Sequence, residues 1–225
     1  MLFRSTASAD PQGDTPESIQ QLPDWGGVWE PVGLPTGAAQ YDVTPSLTPE
    51  WAKRFGEIKA LAAAGKDVPS RTHECHTRGV PGGMADPATL FEIFFTPGRV
   101  MIIDTTGWVR RIYTDKREHA DIVDTFQGDS IGHWEVGKTL VVDTTSIDST
   151  NEFIVGLNQG SESHVSERIS LKDADTLQID TQLDAPHALT APYKFTTLYR
   201  RHKDWMLTQY DCVFDNLDTN RTIQR

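Results

Sequence analysis

Three groups of residues in this chain have the types and spacing to do chemistry. The first is Glu167 with Tyr199 and Arg201. Over residues 164–171 the pattern alternates, so Val165, Glu167, Ile169 and Leu171 share one side, and His164, Ser166, Arg168 and Ser170 the other. Residues 193–201 alternate in the same way and put Tyr193, Phe195, Thr197, Tyr199 and Arg201 together. Glu167 therefore projects from an apolar strand face, where leaving water is costly for a carboxylate without a partner. With an arginine beside it, Glu167 is either half of an ion pair bracing the wall or a general acid or base in a pocket. In the second case Arg201 or Arg111 holds an anionic or enolate oxygen, which suits eliminations and isomerisations next to a carbonyl and needs no covalent nucleophile.

The second group is Trp108-Val109-Arg110-Arg111-Ile112-Tyr113. Consecutive arginines on a strand point opposite ways, so one can face a pocket while the other meets solvent. Arg111 shares its side with Val109 and Tyr113 and is expected inside; Arg110, beside Trp108 and Ile112, is expected outside. Histidines form the third group. His133 and His164 sit within strands among polar residues and can move protons near pH 7, or else lie on the outward polar side, a reading stronger for His164. His73-Glu74-Cys75-His76 lacks the helical H-x-x-x-H or paired C-x-x-C spacing of a zinc site, so no metal is expected. The expected catalytic set is thus Glu167, His133, His164, Arg111 and Tyr113, with Arg201, Tyr199, Trp134 and His119 in binding roles and no organic cofactor. There is no G-x-S-x-G, Walker loop, G-x-G-x-x-G or H-E-x-x-H, which removes the common hydrolase, nucleotide and metalloprotease readings.

The elements that must position these residues are mostly strands. Residues 1–24 read as a polar arm, and 25–225 as a single barrel domain beginning at Asp24-Trp25-Gly26-Gly27-Val28-Trp29. Thr48-Pro49-Glu50 opens a helix over about 49–64, with a hydroxyl cap, Pro at the first position and an apolar stripe of Trp51, Phe55, Ile58, Leu61 and Ala62. From 90 to 214 the pattern predicts strands at 90–96, 99–105, 107–114, 129–136, 138–145, 163–171, 176–184, 192–202 and 205–214. Short turns between most of them force antiparallel neighbours, and about eight or nine strands in sequence order close on themselves to remove exposed edges. The expected fold is all-β, an antiparallel up-and-down barrel of lipocalin or calycin type with the N-terminal helix packed outside. Residues 90–96 and 99–105 are apolar on both faces, so the helix and the Trp25 to Trp29 segment are expected to cover the outer face of these strands or one barrel end.

Across its 225 residues the chain has Lys plus Arg 21 against Asp plus Glu 32, a net charge of −11. That surplus disfavours nucleic acid and anionic membrane as partners. No segment approaches the roughly 18 apolar residues of a membrane span, and residues 1–17 contain no apolar signal core. Cys75 and Cys212 are either two buried thiols or one bridge, and a bridge implies an oxidising compartment.

Several stretches resemble an uncharacterised family of exported proteobacterial proteins: Phe95-Thr96-Pro97-Gly98-Arg99-Val100, Arg110-Arg111-Ile112-Tyr113-Thr114-Asp115 and Gly128-Asp129-Ser130-Ile131-Gly132-His133-Trp134-Glu135. Thr139-Leu140-Val141-Val142-Asp143-Thr144, His164-Val165-Ser166-Glu167-Arg168 and Tyr199-Arg200-Arg201-His202 extend the likeness over most of the chain from Trp25 to Asn216. The resemblance implies a periplasmic or secreted protein, a cleaved signal and a calycin-like barrel. The chain departs from that pattern at His133, where Arg is usual, and at Gln159-Gly160-Ser161, where His-Ser-Glu is usual. Gly27-Val28-Trp29 is also similar to the G-x-W of lipocalins, with Arg200 or Arg201 as the late-strand arginine that packs on the tryptophan.

These readings lead to three functional expectations. The first is a cofactor-independent lyase, dehydratase or isomerase acting on a small, partly apolar substrate inside the barrel. A non-catalytic carrier of a small hydrophobic ligand comes second, and a structural envelope protein third. A homodimer is left open.

Overall fold

The computed structural model describes residues 13–135 and 138–209. In chain order the elements are α1 (Pro16–Ile19), β1 (Val28–Val32), α2 (Pro49–Ala63), β2 (Phe91–Thr96), β3 (Arg99–Asp104), β4 (Val109–Tyr113), β5 (Asp129–Glu135), β6 (Thr139–Thr145), β7 (Glu152–Ile154), β8 (Leu157–Asn158), β9 (His164–Asp173), β10 (Thr176–Asp184) and β11 (Tyr193–His202). Nine of the strands close a barrel in the order β1-β11-β10-β9-β6-β5-β4-β3-β2, and β7 and β8 form a separate hairpin. Alternation and turn chemistry account for most of it. Gly98 in the β2–β3 turn, for instance, adopts the φ of 70° that a tight hairpin demands.

Two strand expectations are corrected. Residues 205–209 are irregular, and 210–214 lie outside the described residues. The ninth strand is instead β1, which pairs with β11 over its whole length and with β2 only at Val28 and Trp29. Pro31 obscures it in the sequence, because a proline argues against a strand interior. Here Pro31 lies beyond the pairing with β2, where its missing N–H leaves no ladder bond unmade. The second correction concerns direction. β4 and β5 run parallel, through Ile112↔Ser130 and Tyr113↔Ile131 alone, and parallel neighbours cannot be joined by a tight turn. Residues 114–128 therefore cross over the outside of the barrel.

The barrel is filled. At one end Trp25, Phe95 and Trp134 meet with ring centroids 5.1 to 5.7 Å apart. Beside them Trp29 is wholly buried and donates from Nε1 to the Trp25 carbonyl at 2.9 Å. The Arg201 guanidinium lies 4.8 Å from the Trp29 ring centroid and donates to Asp24 Oδ2 at 2.9 Å, so Arg201, not Arg200, is the late-strand arginine on the tryptophan. Phe91, Val100, Ile102, Ile112, Leu140, Val142, Ile169, Leu177 and Ile179 fill the middle.

The opposite end carries the β3–β4 turn and the starts of β5 and β9. A second core covers part of it, in which Phe55 and Ile58 of α2 pack with Phe153, Ile154, Leu157, Val165 and Leu183. Trp51 Nε1 donates to the Asn158 carbonyl at 2.7 Å and ties the helix to the β7–β8 hairpin. The helix thus lies at a barrel end, and the outer face of β2 stays open, with Phe94 42% exposed. Thr48 stands at the expected cap, but its hydroxyl donates to the His187 carbonyl and does not cap the helix. No helix among the described residues is long and apolar enough to cross a membrane.

Candidate functional site

Glu167 points into the barrel as its strand alternation requires, and it is 1% exposed. Its partner is Arg110, not Arg111 or Arg201. Arg110 Nη1 donates to Glu167 Oε1 at 3.1 Å and Nη2 to Oε2, and Nη2 also reaches Thr144 Oγ1 at 3.1 Å. Nε and Nη2 each lie 3.4 Å from Ser130 Oγ, and the Ser130 and Thr144 hydroxyls are 2.9 Å apart. Arg111 is exposed on the outer wall, and Tyr113 lies on that wall as well, with the guanidiniums of Arg117 and Arg99 3.8 and 5.4 Å from its ring centroid. The physical reason is register. Arg110 and Ile112 stand opposite the buried Ile102 and Val100, and residues directly opposed across an antiparallel pair share a face. The Thr106-Gly107 turn contains that register, so it was open to sequence reasoning.

The remaining expected site residues do not converge on Glu167. His133 is exposed on the outer wall. Trp134 belongs to the aromatic core, and its ring has no open face to offer a ligand. Tyr199 is buried against Phe91 at 4.8 Å, and its hydroxyl donates to the Met84 carbonyl, anchoring the 82–85 turn; burial pushes that hydroxyl far above the ordinary tyrosine range. Arg201 is consumed at the far end of the barrel by Asp24 and Trp29.

His119 and His164 meet elsewhere. His119, from the 114–128 crossover, places Nδ1 3.0 Å from Asp129 Oδ2 and Nε2 3.0 Å from Asp143 Oδ2, and His164 Nε2 bonds Asp143 Oδ1. Partial burial works against a charged imidazole at His119, but the bonds to Asp143 and Asp129 outweigh it and hold the group above its ordinary value of 6.5. This chain of side chains fastens the crossover to the outer wall. Among the described residues no group of three or more His, Cys, Asp or Glu is arranged to hold a metal ion.

The open space lies at the barrel end near the β3–β4 turn. A cleft of about 1160 Å³ is walled by Thr72, His76, Thr77, Arg78, Asp86 and Thr89 from one side and by residues 104–108 from the other. Its aromatic face is Trp108, packed edge-on at 5.8 Å against Phe126 of the crossover. A void of about 20 Å³ shares Thr77, Gly83, Asp104 and Trp108 with the cleft and reaches down to Arg110. It has room for about one water and none for a substrate. Sequence reasoning missed the 71–89 wall, because its Gly and Pro residues carry no periodicity. It also missed Glu152, a buried carboxylate that orders this wall by accepting from Ser70 Oγ at 2.7 Å and from the Arg71 N–H at 2.9 Å. Cys75, in the same wall, is disulfide-bonded, and Cys212 lies outside the described residues.

No protein-family model and no curated protein matches the sequence. Among solved structures the chain is similar to a point mutant of the fluorescent protein UnaG, at 16% identity and a TM-score of 0.33, covering 79% of this chain and 95% of the other. At that level the likeness adds nothing to what the barrel itself shows.

Two outcomes test these assignments. Glu167→Gln should lower unfolding stability by about 3 kcal/mol or more, because it leaves the Arg110 charge buried without its partner, whereas Arg110→Met with Glu167→Leu should cost less than the two single changes summed. Urea unfolding measures both, and an undiminished Glu167→Gln variant would remove the pair from the core account. For His119 the folded form is the more basic one, so its contribution is complete below about pH 6.5 and lost as pH rises through the raised value. The stability gap between the protein and His119→Gln should therefore shrink as urea midpoints are followed upward from about pH 6. A gap independent of pH would show that the imidazole does not bridge the two carboxylates as a cation.

Proposed function

We propose that this protein is a non-catalytic binding protein that holds a small molecule in the cleft at the barrel mouth. The observation that carries this reading is the contrast between a cleft of about 1160 Å³ and a barrel interior filled by its own side chains. Small-molecule sites commonly have a few hundred to about 1,000 Å³ and a few convergent polar groups. Here Thr72, Thr89, Thr105 and Thr106 line the same cleft as the indole of Trp108, which suits a ligand with one flat face and several hydrogen-bonding atoms better than a wholly apolar one. A lyase or isomerase working through Glu167 finds no support in this geometry, since that carboxylate is sealed below the cleft and already bonded twice to Arg110.

Export to the periplasm or beyond, which the resemblance to exported proteobacterial proteins implies, is part of the proposal. The disulfide at Cys75 supports it, because such bonds persist in oxidising compartments.

The test uses 2-naphthamide, a flat neutral probe, titrated into the protein while the indole N–H resonance of Trp108 is followed by NMR. The resonance should shift saturably, and Trp108→Ala should weaken binding roughly fivefold to tenfold. A silent Trp108 up to the solubility of the probe, or unchanged affinity in the variant, would exclude the cleft as the site.

A further inference from the structure

Among the described residues three arginines are buried, Arg78, Arg110 and Arg201. Arg110 is saturated, and Arg201 has both terminal nitrogens bonded, leaving only its Nε without a hydrogen-bond partner. Arg110 bonds both Glu167 oxygens and the Ser130 and Thr144 hydroxyls, and Arg201 bonds the Asp24 carboxylate and carbonyl while lying on Trp29. Arg78 is different. Its side chain is 4% exposed, yet Nη1 reaches Asp86 Oδ2 only at 3.5 Å, and Nε stands 4.0 Å from Glu152 Oε2 with no hydrogen-bond partner. Among the described residues no protein acceptor bonds Nη2. The two neighbouring carboxylates are engaged elsewhere. Glu152 accepts from Ser70, Arg71 and Gly156, and Asp86 Oδ1 accepts from the Ala88 N–H at 2.9 Å.

A guanidinium presents five N–H donors in a rigid fork, and a buried one normally finds acceptors for them. Among the three, Arg78 is the one whose terminal nitrogens are poorly bonded, and it is the one that lines the cleft. The acceptors for which its fork is shaped are the paired oxygens of a carboxylate or phosphate. Charge decides between these. Asp86 and Glu152 flank Arg78 within 4.0 Å and repel every negative charge a ligand brings, so a ligand with one charge is disfavoured less than a dianion.

Resting on the binding reading above, we propose that the ligand of the cleft is a planar monocarboxylate. Its carboxylate sits on the Nη1–Nη2 edge of Arg78, displacing the long Asp86 contact. Its ring lies against Trp108, and threonine hydroxyls meet its remaining polar atoms.

Matched probes test it: 2-naphthoate, 2-naphthamide and 2-naphthyl phosphate, each titrated by calorimetry with the Trp108 indole resonance as site marker. The naphthoate should bind about tenfold more tightly than the amide, and Arg78→Gln should bring it down to the affinity of the amide. Arg78→Lys, which keeps the charge and loses the fork, should fall between. Asp86→Asn keeps the Ala88 turn bond through its amide oxygen and removes the competing charge, so it should tighten naphthoate a few-fold and leave naphthamide unchanged. Equal affinities for naphthoate and naphthamide, with Trp108 shifting in both, would overturn the carboxylate inference and leave the binding reading intact. A Trp108 that responds to none of the probes would overturn the binding reading itself. Naphthyl phosphate binding as tightly as naphthoate would overturn the preference for a single charge. Should Arg78→Gln fail to fold, Asp86→Asn decides, and an unaltered naphthoate affinity would refute the proposal.

Discussion

The guanidinium of Arg110 lies across one of the two thinnest seams of the barrel. β4 and β5 are held by two residue pairs in parallel register, whereas β9 and β10 are paired along almost their full length. From β4 the Arg110 side chain reaches Ser130 on β5, Thr144 on β6 and Glu167 on β9, so one group ties together four strands that are consecutive around the wall. A buried ion pair is a poor source of net stability compared with apolar packing, because both charges must leave water. Its value here is register. Sliding β4 by one residue would turn Arg111 inward, and every side chain of the strand would change face.

That interaction also marks what could be read from the chain and what could not. Alternation alone turns Glu167, Tyr199 and Arg201 inward, and all three are buried. Within 108–113 it cannot choose between Arg110 and Arg111, because each shares its side with an aliphatic and an aromatic residue; the register carried by the Thr106-Gly107 turn makes the choice, and acceptors on three other strands then hold the guanidinium. The Trp29–Arg201 stack was legible from a short motif, since both residues sit near the ends of the strands that close the barrel. The cleft was not legible. Its walls come from the irregular 71–89 segment and a turn, where backbone conformation follows from local bonds such as those of Glu152 and not from any periodic pattern. His119 and Asp143 are brought together by a crossover whose path no hydrophobic pattern announces.

Chemistry thereby moves from the inside of the barrel to its rim. The interior charges neutralise each other and leave nothing for a substrate, while the rim offers hydroxyls, an indole and an incompletely bonded guanidinium. The acidic surplus of the sequence lies largely outside this region. Asp173, Asp175 and Asp204 occupy exposed turns, and Asp180 lies on an outward strand face.

The place of β1 has a further consequence for how the chain comes together. This strand comes first of the barrel strands in sequence and its long partner β11 comes last, so their pairing joins residues 28–32 to 198–202. Contacts this distant in sequence form slowly, since the loop they close must be ordered before they return any free energy. Until then Trp25, Trp29 and Trp134 have no complete enclosure, and an unfinished chain presents an aromatic, adhesive surface. The barrel is a strip whose first thread is tied last.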